Sequence, residues 1–493
     1  MRGIREVGWR MRLAQLLGDA PVVSVKGLMP ENVTGITKDS REVKEGFIFF
    51  ATETSKPYVQ EAVRKGAAVV ISDAELSGNF PCLVVIRDVR TLLGRMAARF
   101  FGYPSRDMHV TGITGTNGKT TTSYLIESIL RAANQPVGVM GTISYRYDGT
   151  VVRGQTTTPE STEIQRLFSR MREAGVRSAV MEVSSHALDQ GRVEGIDFDG
   201  AIFTNLTHDH LDYHLDFEHY KAAKKRLFHE YLVESVKEKK YAILNKDDPN
   251  ARDFVCSPPI TNFTYSLREH ADAFATSVKE EIGGLTITAS LMGKELVIRS
   301  RLVALFNVAN ILAAALFGHA AGIAHDAVIE GLEALKGVPG RLERVENARG
   351  IPIFVDYAHT PDALRKTLET LKRLCAGRLI VVFGCGGDRD KTKRPLMGRI
   401  TSDLADFAII TSDNPRSEDP IKIIADIQQG FGNNSYRVIE NRREAIGEAI
   451  RSTTTNDVLL VAGKGHEDYQ IIGTQTFHFS DREVIEEWLH VAA

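Results

Sequence analysis

Short apolar runs alternate with longer amphipathic stretches along most of the chain. The runs AAVVIS at 67–72, CLVVI at 82–86 and SAVMEV at 178–183 have the length and the β-branched content of buried strands. Between such runs, stretches such as RTLLGRMAARFF at 90–101 space their apolar residues as an amphipathic helix does. Strands that alternate with helices predict parallel sheets covered on both faces, which is an α/β fold.

Residues 260–300 interrupt this alternation. Four closely spaced β patterns follow one another there, namely TNFTYS, AFATSV, GGLTITASL and ELVIRS, and they predict a small antiparallel annex. A helix over 307–323, a Gly/Pro hinge at 336–341 and a second series of strands come next. We therefore expect three domains, 1–107, 108–339 and 340–493.

Length and composition agree with this division. A chain of 493 residues corresponds to about three domains at roughly 150 residues each. Hydrophobic residues make up 43% and charged residues 25%, as in a soluble globular protein, and the formal net charge of -2 gives no general attraction to nucleic acid or to an anionic membrane. No apolar run reaches the ~18 residues of a membrane span. Four cysteines without CxxC spacing predict a reducing compartment, so we expect a cytoplasmic protein.

The glycine-rich stretch GITGTNGKTTT at 112–122 lies between a predicted strand and a predicted helix. Glycines let the backbone wrap round phosphate oxygens, and the N–H groups at a helix start attract anions. Lys119 would reach the terminal phosphates of ATP, and Thr120 would bind Mg²⁺. The spacing departs from the usual GxxxxGK[ST] pattern, so a turn that binds no phosphate stays an alternative. The predicted ATP-binding residues of this stretch are Gly115, Thr116, Asn117, Gly118, Lys119, Thr120 and Thr121.

A carboxylate and several imidazoles follow two other predicted strands. VMEVSSH places Glu182 at the end of one strand, and FTNLTHDHLDYH places His208 and His210 just past another. Because ligands of open α/β sheets sit at such strand ends, Glu182 and His210 could share a Mg²⁺ with Thr120. Mg²⁺ prefers oxygen ligands, so a zinc ion or no metal at all stay open as alternatives. HYKAAKKRLF at 219–228 predicts a helix with a basic face, which on composition alone is a solvated surface.

Together these motifs resemble the Mur ligase family, whose members couple ATP cleavage to amide-bond formation through an acyl phosphate. GITGTNGKTTT is similar to the family's GxxGxNGKT loop, and TNLTHDHLDYH to its TNxxxDHLDYH motif. The AK..LF pattern of the basic helix resembles the family helix whose lysine is carbamylated, which implies that Lys224, with Lys225 as its neighbouring alternative, binds a second Mg²⁺. The implied catalytic and metal-binding residues are Lys119, Glu182, His210 and Lys224, with Thr120 as a further metal ligand.

The resemblance also implies the acyl donor, UDP-MurNAc-L-Ala-D-Glu. ITKDSREVKEGFIFFA resembles the family's uridine-binding signature DSRxVxxGxxFxA, and TTTPE and SSHALDQGRV resemble the segments that hold the rest of this substrate. Taken alone, the hydroxyl groups of these segments would cap helices. The implied donor-binding residues are Ser40, Thr157, Thr158, Ser184, Gln190 and Arg192.

Motifs of the predicted third domain imply the residues that bind the adenine and hinge side of ATP and those that bind the incoming amino acid. LFNVAN, GRLE and DYAHTPD resemble family segments that contact ATP, although Ala304 stands where the family commonly has glycine. The segments GCGGDRDKTKRP, DNPR and GKGHED all follow predicted strands, so they should meet at one edge of a sheet. The implied ATP-binding residues are Asn307, Arg341, Asp356 and His359.

The segment DNPR indicates which amino acid is added. An amino acid with an extra ammonium and an extra carboxylate needs partners of both charges, and arginine grips a carboxylate in a bidentate way that lysine does not. DNPR resembles the version in family members that add meso-diaminopimelate, whereas members that add L-lysine have a tetrapeptide without the arginine. The implied diaminopimelate-binding residues are Arg389, Asp413, Asn414, Pro415, Arg416, Gly463 and Glu467, and Lys393 belongs to the same cluster.

The resemblance runs in order through nearly the whole chain. It implies a monomeric ligase that uses ATP and Mg²⁺ to add meso-diaminopimelate to UDP-MurNAc-L-Ala-D-Glu in cytoplasmic peptidoglycan synthesis, and that binds neither nucleic acid nor membrane. The expected fold class is α/β, with a UDP-binding N-terminal domain, a central P-loop-type parallel sheet with a small antiparallel annex, and a Rossmann-like C-terminal domain that binds the amino acid. One alternative is a related ligase for L-lysine, a D-Ala-D-Ala dipeptide or a folate. The other is a nucleotide-switched binding protein without amide chemistry.

Overall fold

A computed structural model describes residues 10–207, 213–432 and 435–491 of the chain. The chain divides into two compact units: the first comprises residues up to 273 together with 313–328, and the second comprises 274–312 and the residues from 329 onward. The domain boundaries near 107 and 340 stay predictions. None of the helices in the described ranges combines the length and the apolar content that crossing a membrane requires.

The first unit contains two main sheets. Its strands are β1 (Met11–Arg12), β2 (Val22–Gly27), β3 (Asn32–Val33), β4 (Gly35–Thr37), β5 (Phe47–Ala51), β6 (Ala67–Ser72), β7 (Cys82–Ile86), β8 (His109–Thr114), β9 (Val137–Met140), β10 (Ser144–Tyr147), β11 (Thr150–Arg153), β12 (Ser178–Glu182), β13 (Gly200–Phe203), β14 (Tyr241–Asn245) and β15 (Thr261–Ser266). Its helices up to residue 273 are α1 (Leu13–Leu17), α2 (Val59–Arg64), α3 (Val89–Phe100), α4 (Lys119–Ala132), α5 (Ser161–Glu173), α6 (Ser185–Asp189), α7 (Phe217–Arg226) and α8 (Leu232–Glu234).

The smaller sheet has the strand order β2-β7-β6-β5-β4, in which β4 to β7 run parallel and β2 is antiparallel to β7. Within this unit the larger sheet has the order β11-β10-β9-β12-β8-β13-β14-β15. Its strands from β9 to β15 run parallel, and β10 and β11 add an antiparallel hairpin. The ends of β12, β8 and β13 therefore lie side by side at the carboxyl edge of the sheet.

The prediction for TNFTYS was wrong in one respect. This segment is β15, and it pairs in parallel with β14, with Thr261 opposite Tyr241, so it continues the parallel sheet where an antiparallel strand was expected. A strand pattern does not encode the direction of its neighbour, which depends on the connection. Here residues 246–260, which include a 3-10 turn at Ala251–Phe254, form a crossover of the length that parallel pairing needs.

The second unit is built round a parallel sheet. Its strands are β16 (Ala273–Glu281), β17 (Gly284–Leu291), β18 (Lys294–Ser300), β19 (Glu343–Arg344), β20 (Ile353–Asp356), β21 (Leu379–Phe383), β22 (Phe407–Ile410), β23 (Tyr436–Val438), β24 (Val458–Ala462), β25 (Tyr469–Ile472) and β26 (Gln475–His478). The remaining helices of the chain are α9 (Phe306–Ala320), α10 (His325–Ala334), α11 (Pro361–Leu374), α12 (Lys393–Leu404), α13 (Pro420–Gln428), α14 (Arg442–Ser452) and α15 (Asp481–Val491). Strands β17 and β18 pair antiparallel, as the predicted annex requires.

The main sheet of the second unit has the order β19-β20-β24-β21-β22-β23 and is parallel from β20 to β23. Its strands are continuous apolar runs because both faces are covered. Helices α11, α12 and α13 contribute Leu368, Met397 and Ile424 to the core on one face, and α14 and α15 contribute Ile446 and Ile485 on the other. Each fully buried aliphatic side chain contributes about 1.5–3 kcal/mol, so the two layers hold the strand ends of this sheet firmly in place.

Candidate active site

The glycine-rich loop follows β8 and leads into α4. Gly115 and Gly118 have φ angles of 146° and 90°, which favour glycine strongly. A Cβ atom on Gly115 would lie 2.0 Å from Oγ1 of Thr204, so the loop also needs glycine there for lack of space. Helix α4 begins at Lys119 directly after Gly118, so the loop lies at a helix N-terminus, where free N–H groups attract anions.

The segment that follows β13 holds the loop in place. Thr204 donates its hydroxyl to the carbonyl of Asn117 at 2.6 Å, and the backbone N–H of Asn117 donates to Oδ1 of Asn205 at 2.9 Å. The N–H of Thr207 donates to Oγ1 of Thr116 at 3.0 Å. The first residues of the motif TNLTHDHLDYH are therefore structural supports of the loop. His208 and His210 lie outside the described residues.

Two lysines converge on one carbonyl of the loop. Lys119 donates its ammonium to the carbonyl oxygens of Gly115 at 2.8 Å and Thr116 at 2.9 Å, and Lys224 donates to the same Gly115 oxygen at 3.0 Å. Lys224 is only 1% exposed on α7, whereas Lys225 is half-buried. Of the two neighbouring lysines, the structure therefore directs Lys224 at the loop.

Glu182 at the end of β12 contacts the first turn of α4. Its carboxylate is 1% exposed and accepts hydrogen bonds from Oγ1 of Thr120 at 2.9 Å, from Oγ1 of Thr142 at 2.9 Å and from the N–H of Thr142 at 3.0 Å. The predicted metal ligands Thr120 and Glu182 thus lie in direct contact, and both offer the hard oxygen atoms that Mg²⁺ prefers. Among the described residues, no three histidine, cysteine, aspartate or glutamate side chains form a cluster that could hold a metal ion.

Most residues predicted to bind the acyl donor lie next to Glu182. Thr158 donates its hydroxyl to the Glu182 carbonyl at 2.9 Å and accepts from the N–H of Ser184 at 3.0 Å. Ser184 also caps α6 by accepting from the N–H of residue 187. The hydroxyls of Thr157 and Thr142 are 3.1 Å apart. A chain of hydroxyl groups therefore links the predicted metal site to the predicted donor pocket.

Gln190 and Arg192 complete this pocket. Arg192 donates to Oε1 of Gln190 at 2.7 Å and to the carbonyl of Thr158 at 3.0 Å. Gln190 in turn donates to the hydroxyl of Tyr213 at 3.1 Å, and that hydroxyl donates to Asp189 at 2.7 Å. Partial burial raises the pKa of Tyr213, so its hydroxyl stays protonated and keeps this donor role.

Ser40 begins a 3-10 turn, Ser40–Glu42, between β4 and β5 of the smaller sheet. It donates its hydroxyl to Glu61 at 3.0 Å and is buried. Two residues before it, Lys38 pairs with Glu160 at 2.7 Å, and Glu160 lies 3.4 Å from Arg192. One carboxylate therefore connects the DSR segment with the donor pocket.

In the second unit, the predicted segments follow four neighbouring strands of the main sheet. Asp356 ends β20, the GCGGDRD loop follows β21, DNPR comes after β22 and GKGHED follows β24. Because these strands are parallel and adjacent, their carboxyl ends meet at one edge. The structure therefore has the segments clustered at one edge of the sheet, as expected from the sequence.

Asp356 sits where several backbone donors converge. Its carboxylate accepts from the N–H of Leu342 at 2.7 Å and from the N–H of Ala358 at 2.9 Å. Burial raises the pKa of Asp356, and these two N–H groups together with Arg341 oppose that shift. The carboxylate thus fixes the turn that carries GRLE against the DYAHTPD segment.

An aromatic ring lies between two other predicted ATP-binding residues. The guanidinium of Arg341 lies 5.2 Å from the centre of the Tyr357 ring, and the His359 ring lies 4.5 Å from the same centre. His359 is held through its Nδ1, 2.7 Å from the Tyr357 carbonyl, and Lys393 donates to the carbonyl of His359 at 2.9 Å. The two rings are tilted by 57° to each other, and this arrangement places aromatic and positively charged groups side by side.

Asn307, the remaining predicted ATP-binding residue, lies in the first turn of α9. It is buried, donates to the carbonyl of Val303 at 2.7 Å and accepts from Asn310 at 2.9 Å. Ala304 between them has a φ angle of 79°, a left-handed conformation that favours glycine. The left-handed backbone at this position explains why the family commonly has glycine there. In this chain an alanine adopts the same conformation, with the backbone strain that a side chain causes.

The DNPR and GKGHED segments meet through their side chains. Asn414 donates its amide to Glu467 at 2.9 Å. Gly463 has a φ angle of 114°, and a Cβ atom there would lie 2.7 Å from Oδ2 of Asp413. Asp413, Asn414, Gly463 and Glu467 thus form one acidic and polar cluster, and Arg389 is exposed on the GCGGDRD loop.

Arg416 adopts an unusual backbone conformation, with a φ angle of 53°. A bridge to the β25–β26 hairpin holds it there, because Arg416 donates its N–H to the Ile471 carbonyl at 3.1 Å and accepts from the N–H of Gly473 at 2.7 Å. Its guanidinium donates to the Gly387 carbonyl at 2.8 Å. Pro415 is buried just before it. DNPR is therefore a turn, and it is a turn clamped to a second element so that Arg416 faces the GCGGDRD loop.

Comparison with known proteins identifies the family to which this chain belongs. Residues 113–318 match the Mur ligase middle domain, and residues 340–465 match the Mur ligase, glutamate ligase domain. A UDP-N-acetylmuramoyl-L-alanyl-D-glutamate--2,6-diaminopimelate ligase of Bacillus cereus is 42% identical, over 96% of this chain and 97% of its own. The chain belongs to the Mur ligase family. The ligase of the same name from Bacillus licheniformis is 44% identical to this Mur ligase over 96% and 98% of the two chains.

A solved structure bears the same ligase name. It matches this Mur ligase with a TM-score of 0.71 and 34% identity, and it covers 95% of this chain and 97% of its own. The expected fold class is therefore confirmed, with a large parallel sheet, a small antiparallel addition and a C-terminal α/β part.

Sequence reasoning missed two residues of this Mur ligase that touch the predicted sites. Thr142 gives two hydrogen bonds to Glu182, yet it follows β9, a strand that the sequence pattern did not suggest. Lys464 in GKGHED is fully buried beside Asn414. Thr142 could have been found from the sequence, because a Gly-Thr pair follows the apolar run VGVM. The pair Gly115-Thr116 follows β8 in the same way.

Proposed function

We propose that this chain is the ligase that joins meso-2,6-diaminopimelate to UDP-MurNAc-L-Ala-D-Glu at the expense of ATP. The observation that carries the proposal is the cluster at the strand ends of the second unit, where two carboxylates and an amide lie together and the Arg416 guanidinium donates to the neighbouring GCGGDRD loop. A diaminoacid with two carboxylates needs partners of both charges, and L-lysine has no group that needs Arg416. The names of the similar ligases from Bacillus agree with this substrate pair.

The ATP site is proposed at the glycine-rich loop. Residues 115–121 would surround the phosphates with N–H groups, and Lys119, now bonded to two loop carbonyls, would exchange those acceptors for phosphate oxygens. Asn307, Arg341, Asp356 and His359 are proposed for the rest of the nucleotide. Lys119 would replace existing hydrogen bonds and would not add new ones. Its contribution to ATP binding would therefore come mainly from the greater strength of a hydrogen bond between an ammonium and a phosphate.

Thr120 and Glu182 fit a Mg²⁺ ion because their oxygens already touch. We propose His210 as a further ligand. We propose Lys224 as a ligand of a second ion after its neutral amine has added CO2 and released a proton, which turns it into a carboxylate-like carbamate. A Mg²⁺ ion held by these residues would neutralise the charge that develops on the transferring phosphoryl group. Lys224 is suited to this role because its ammonium group is buried and directed at the loop.

The reaction has two steps. A carboxylate oxygen of the D-Glu residue attacks the γ-phosphorus of ATP, and the bond to ADP breaks. An amine of diaminopimelate then attacks the acyl carbon, so that an amide bond forms, phosphate leaves and a proton is released. Ser40, Thr157, Thr158, Ser184, Gln190 and Arg192 are proposed to hold the donor, and Arg389, Asp413, Asn414, Pro415, Arg416, Gly463 and Glu467 the amino acid. Orientation of the two substrates supplies much of the catalysis.

The proposed setting is the cytoplasm, in peptidoglycan precursor synthesis, with the protein acting as a monomer on small-molecule substrates. All four cysteines are free, which suits a reducing compartment. Neither nucleic acid nor a membrane is proposed as a partner.

The test offers the purified protein ATP, Mg²⁺ and UDP-MurNAc-L-Ala-D-Glu with either meso-diaminopimelate or L-lysine, and follows phosphate release and product mass. Absence of phosphate release with both amino acids would contradict a ligase, and preference for lysine would contradict the proposed substrate. Arg416→Ala should raise the KM for meso-diaminopimelate about 10- to 150-fold, because a hydrogen bond to a charged group contributes about 1.5–3 kcal/mol. Arg437→Ala, at an exposed arginine that pairs with Glu448, is the matched control and should leave all KM values unchanged.

A further inference from the structure

Lys464 is a buried cation that the proposed reaction does not use. Its side chain is 0% exposed. Its ammonium group lies 3.2 Å from Oδ1 of Asn414 and 3.5 Å from Oε2 of Glu467, and it donates to the carbonyl of Tyr469. A buried ammonium is costly unless it is paired and hydrogen-bonded, so these contacts are needed to keep Lys464 in place.

The contacts of Asn414 have a defined direction. Its Oδ1 receives hydrogen bonds from Lys464 and from the backbone N–H of Ile471 at 3.0 Å, while its Nδ2 donates to Glu467 at 2.9 Å. Two donors on one side and a carboxylate on the other allow only one orientation of the amide. If the ammonium is removed, one of the two donors that select this orientation is lost.

A second buried cation of the same unit shows the difference between a structural and a positioning contact. Arg442 is also fully buried, but it pairs with Asp481 through two hydrogen bonds of 2.7 Å and donates to the carbonyl of Ala462 at 3.0 Å. None of these partners is a proposed substrate-binding side chain. Two side chains that Lys464 contacts, Asn414 and Glu467, are proposed to bind the amino acid, and its third side-chain contact is the Tyr469 ring, whose centre lies 5.3 Å away.

We infer that Lys464 is a positioning residue of the amino-acid pocket, which holds the Asn414 amide in one orientation and compensates the charge of the Glu467 carboxylate. Lys464 itself does not touch the substrate. The inference rests on the proposed function, because it assigns Lys464 to the pocket proposed for meso-diaminopimelate. It adds a specificity-determining residue behind the side chains that meet the ligand.

The variant Lys464→Met keeps the length of the side chain and removes the charge. The KM for meso-diaminopimelate should rise about tenfold or more, because a charge-assisted contact to each of two binding residues is lost, while the KM values for ATP and for the UDP-dipeptide stay within about twofold. Lys464→Gln retains a hydrogen-bond donor without the charge, so its KM for meso-diaminopimelate should lie between those of the wild type and of Lys464→Met.

A matched control is Lys237→Met. Lys237 is a largely buried lysine of the first unit that pairs with Asp199 at 3.3 Å and contacts no residue of the proposed amino-acid pocket in the described part of the chain. Its replacement should lower the melting temperature without changing the KM for meso-diaminopimelate. A double-mutant cycle of Lys464→Met with Glu467→Gln adds a second readout: the two changes should be non-additive, because Lys464 acts through Glu467.

Each outcome has one meaning. A wild-type protein that does not ligate meso-diaminopimelate overturns the proposed function. A folded, active Lys464→Met variant with an unchanged KM for meso-diaminopimelate overturns the inference alone, as does an equal rise in all three KM values. Loss of the folded state in both Lys464 variants would also overturn it, because Lys464 would then serve stability and not the pocket.

Discussion

Replacing Thr142 by valine would remove one hydroxyl group from the environment of Glu182 and leave the shape of the side chain nearly unchanged. The hydroxyl donates to Oε2 of Glu182 at 2.9 Å, whereas the backbone N–H of Thr142 still donates to Oε1 at 3.0 Å. Of the two hydrogen bonds from Thr142 one is therefore lost and one is kept, and the bond from Thr120 at 2.9 Å also stays. Such a bond contributes about 1.5–3 kcal/mol, which corresponds to a decrease in kcat/KM for ATP of about 10- to 150-fold.

The assay is steady-state phosphate release, with ATP, Mg²⁺ and the UDP-dipeptide varied in turn. We expect Thr142→Val to lower kcat/KM for ATP and to shift the Mg²⁺ dependence to higher concentration, because Glu182 is proposed to bind the metal ion. Thr142→Ser keeps the hydroxyl and is the control, with activity within about threefold of the wild type. The reasoning is refuted if valine at this position leaves kcat/KM within the same range, or if serine is as damaging as valine.

Three other changes test separate features. Lys224→Ala should abolish ligation, with partial rescue of phosphate release by a short carboxylic acid, and full activity without the acid would exclude a carbamate role. Asp481→Asn leaves the fully buried Arg442 without its counter-charge, so urea unfolding should show a loss of about 3–5 kcal/mol, and a loss below about 1 kcal/mol would contradict this account. Hydrogen bonds from Arg394 lower the pKa of Glu418 from 4.5 to about 2, so its contribution to stability is present above pH 4.5 and disappears as the pH falls towards 2. The difference in urea midpoint between the wild type and Glu418→Gln should therefore shrink over this range, and a constant difference would argue against the pair.

The parts of the fold that could be predicted from the sequence are those whose pattern is local. The strands β6 and β7 have the predicted bounds, 67–72 and 82–86, because both are continuous apolar runs between turn residues. Strand β11 was missed because all four of its residues are exposed and so produce no alternation of apolar and polar positions. The direction of β15 was wrong because strand pairing depends on the long connection before it.

The residues of the candidate site could also be predicted only as far as local sequence patterns reach. Motifs at strand ends could be expected to meet, because parallel strands end at a common edge, and the structure brings Asp413 and Glu467 to that edge together with Asn414. The contacts made by Thr142 and Lys464 could not be predicted, since each touches a residue of a different strand-end segment. Such contacts depend on tertiary packing and leave no periodic mark in the chain.

The link through Glu160 has a consequence for protein engineering. Glu160 pairs with Lys38, beside the proposed uridine site, and lies close to Arg192 in the donor pocket. A chimera that takes its N-terminal sheet from another ligase would lose this match unless the incoming segment also carries a cation at the position of Lys38. Of its two cationic neighbours, Glu160 would then keep only Arg192. The carboxylate of Glu160 would pull the Arg192 guanidinium away from the donor. Successful exchange of N-terminal domains between relatives should therefore require that the pair be transferred together.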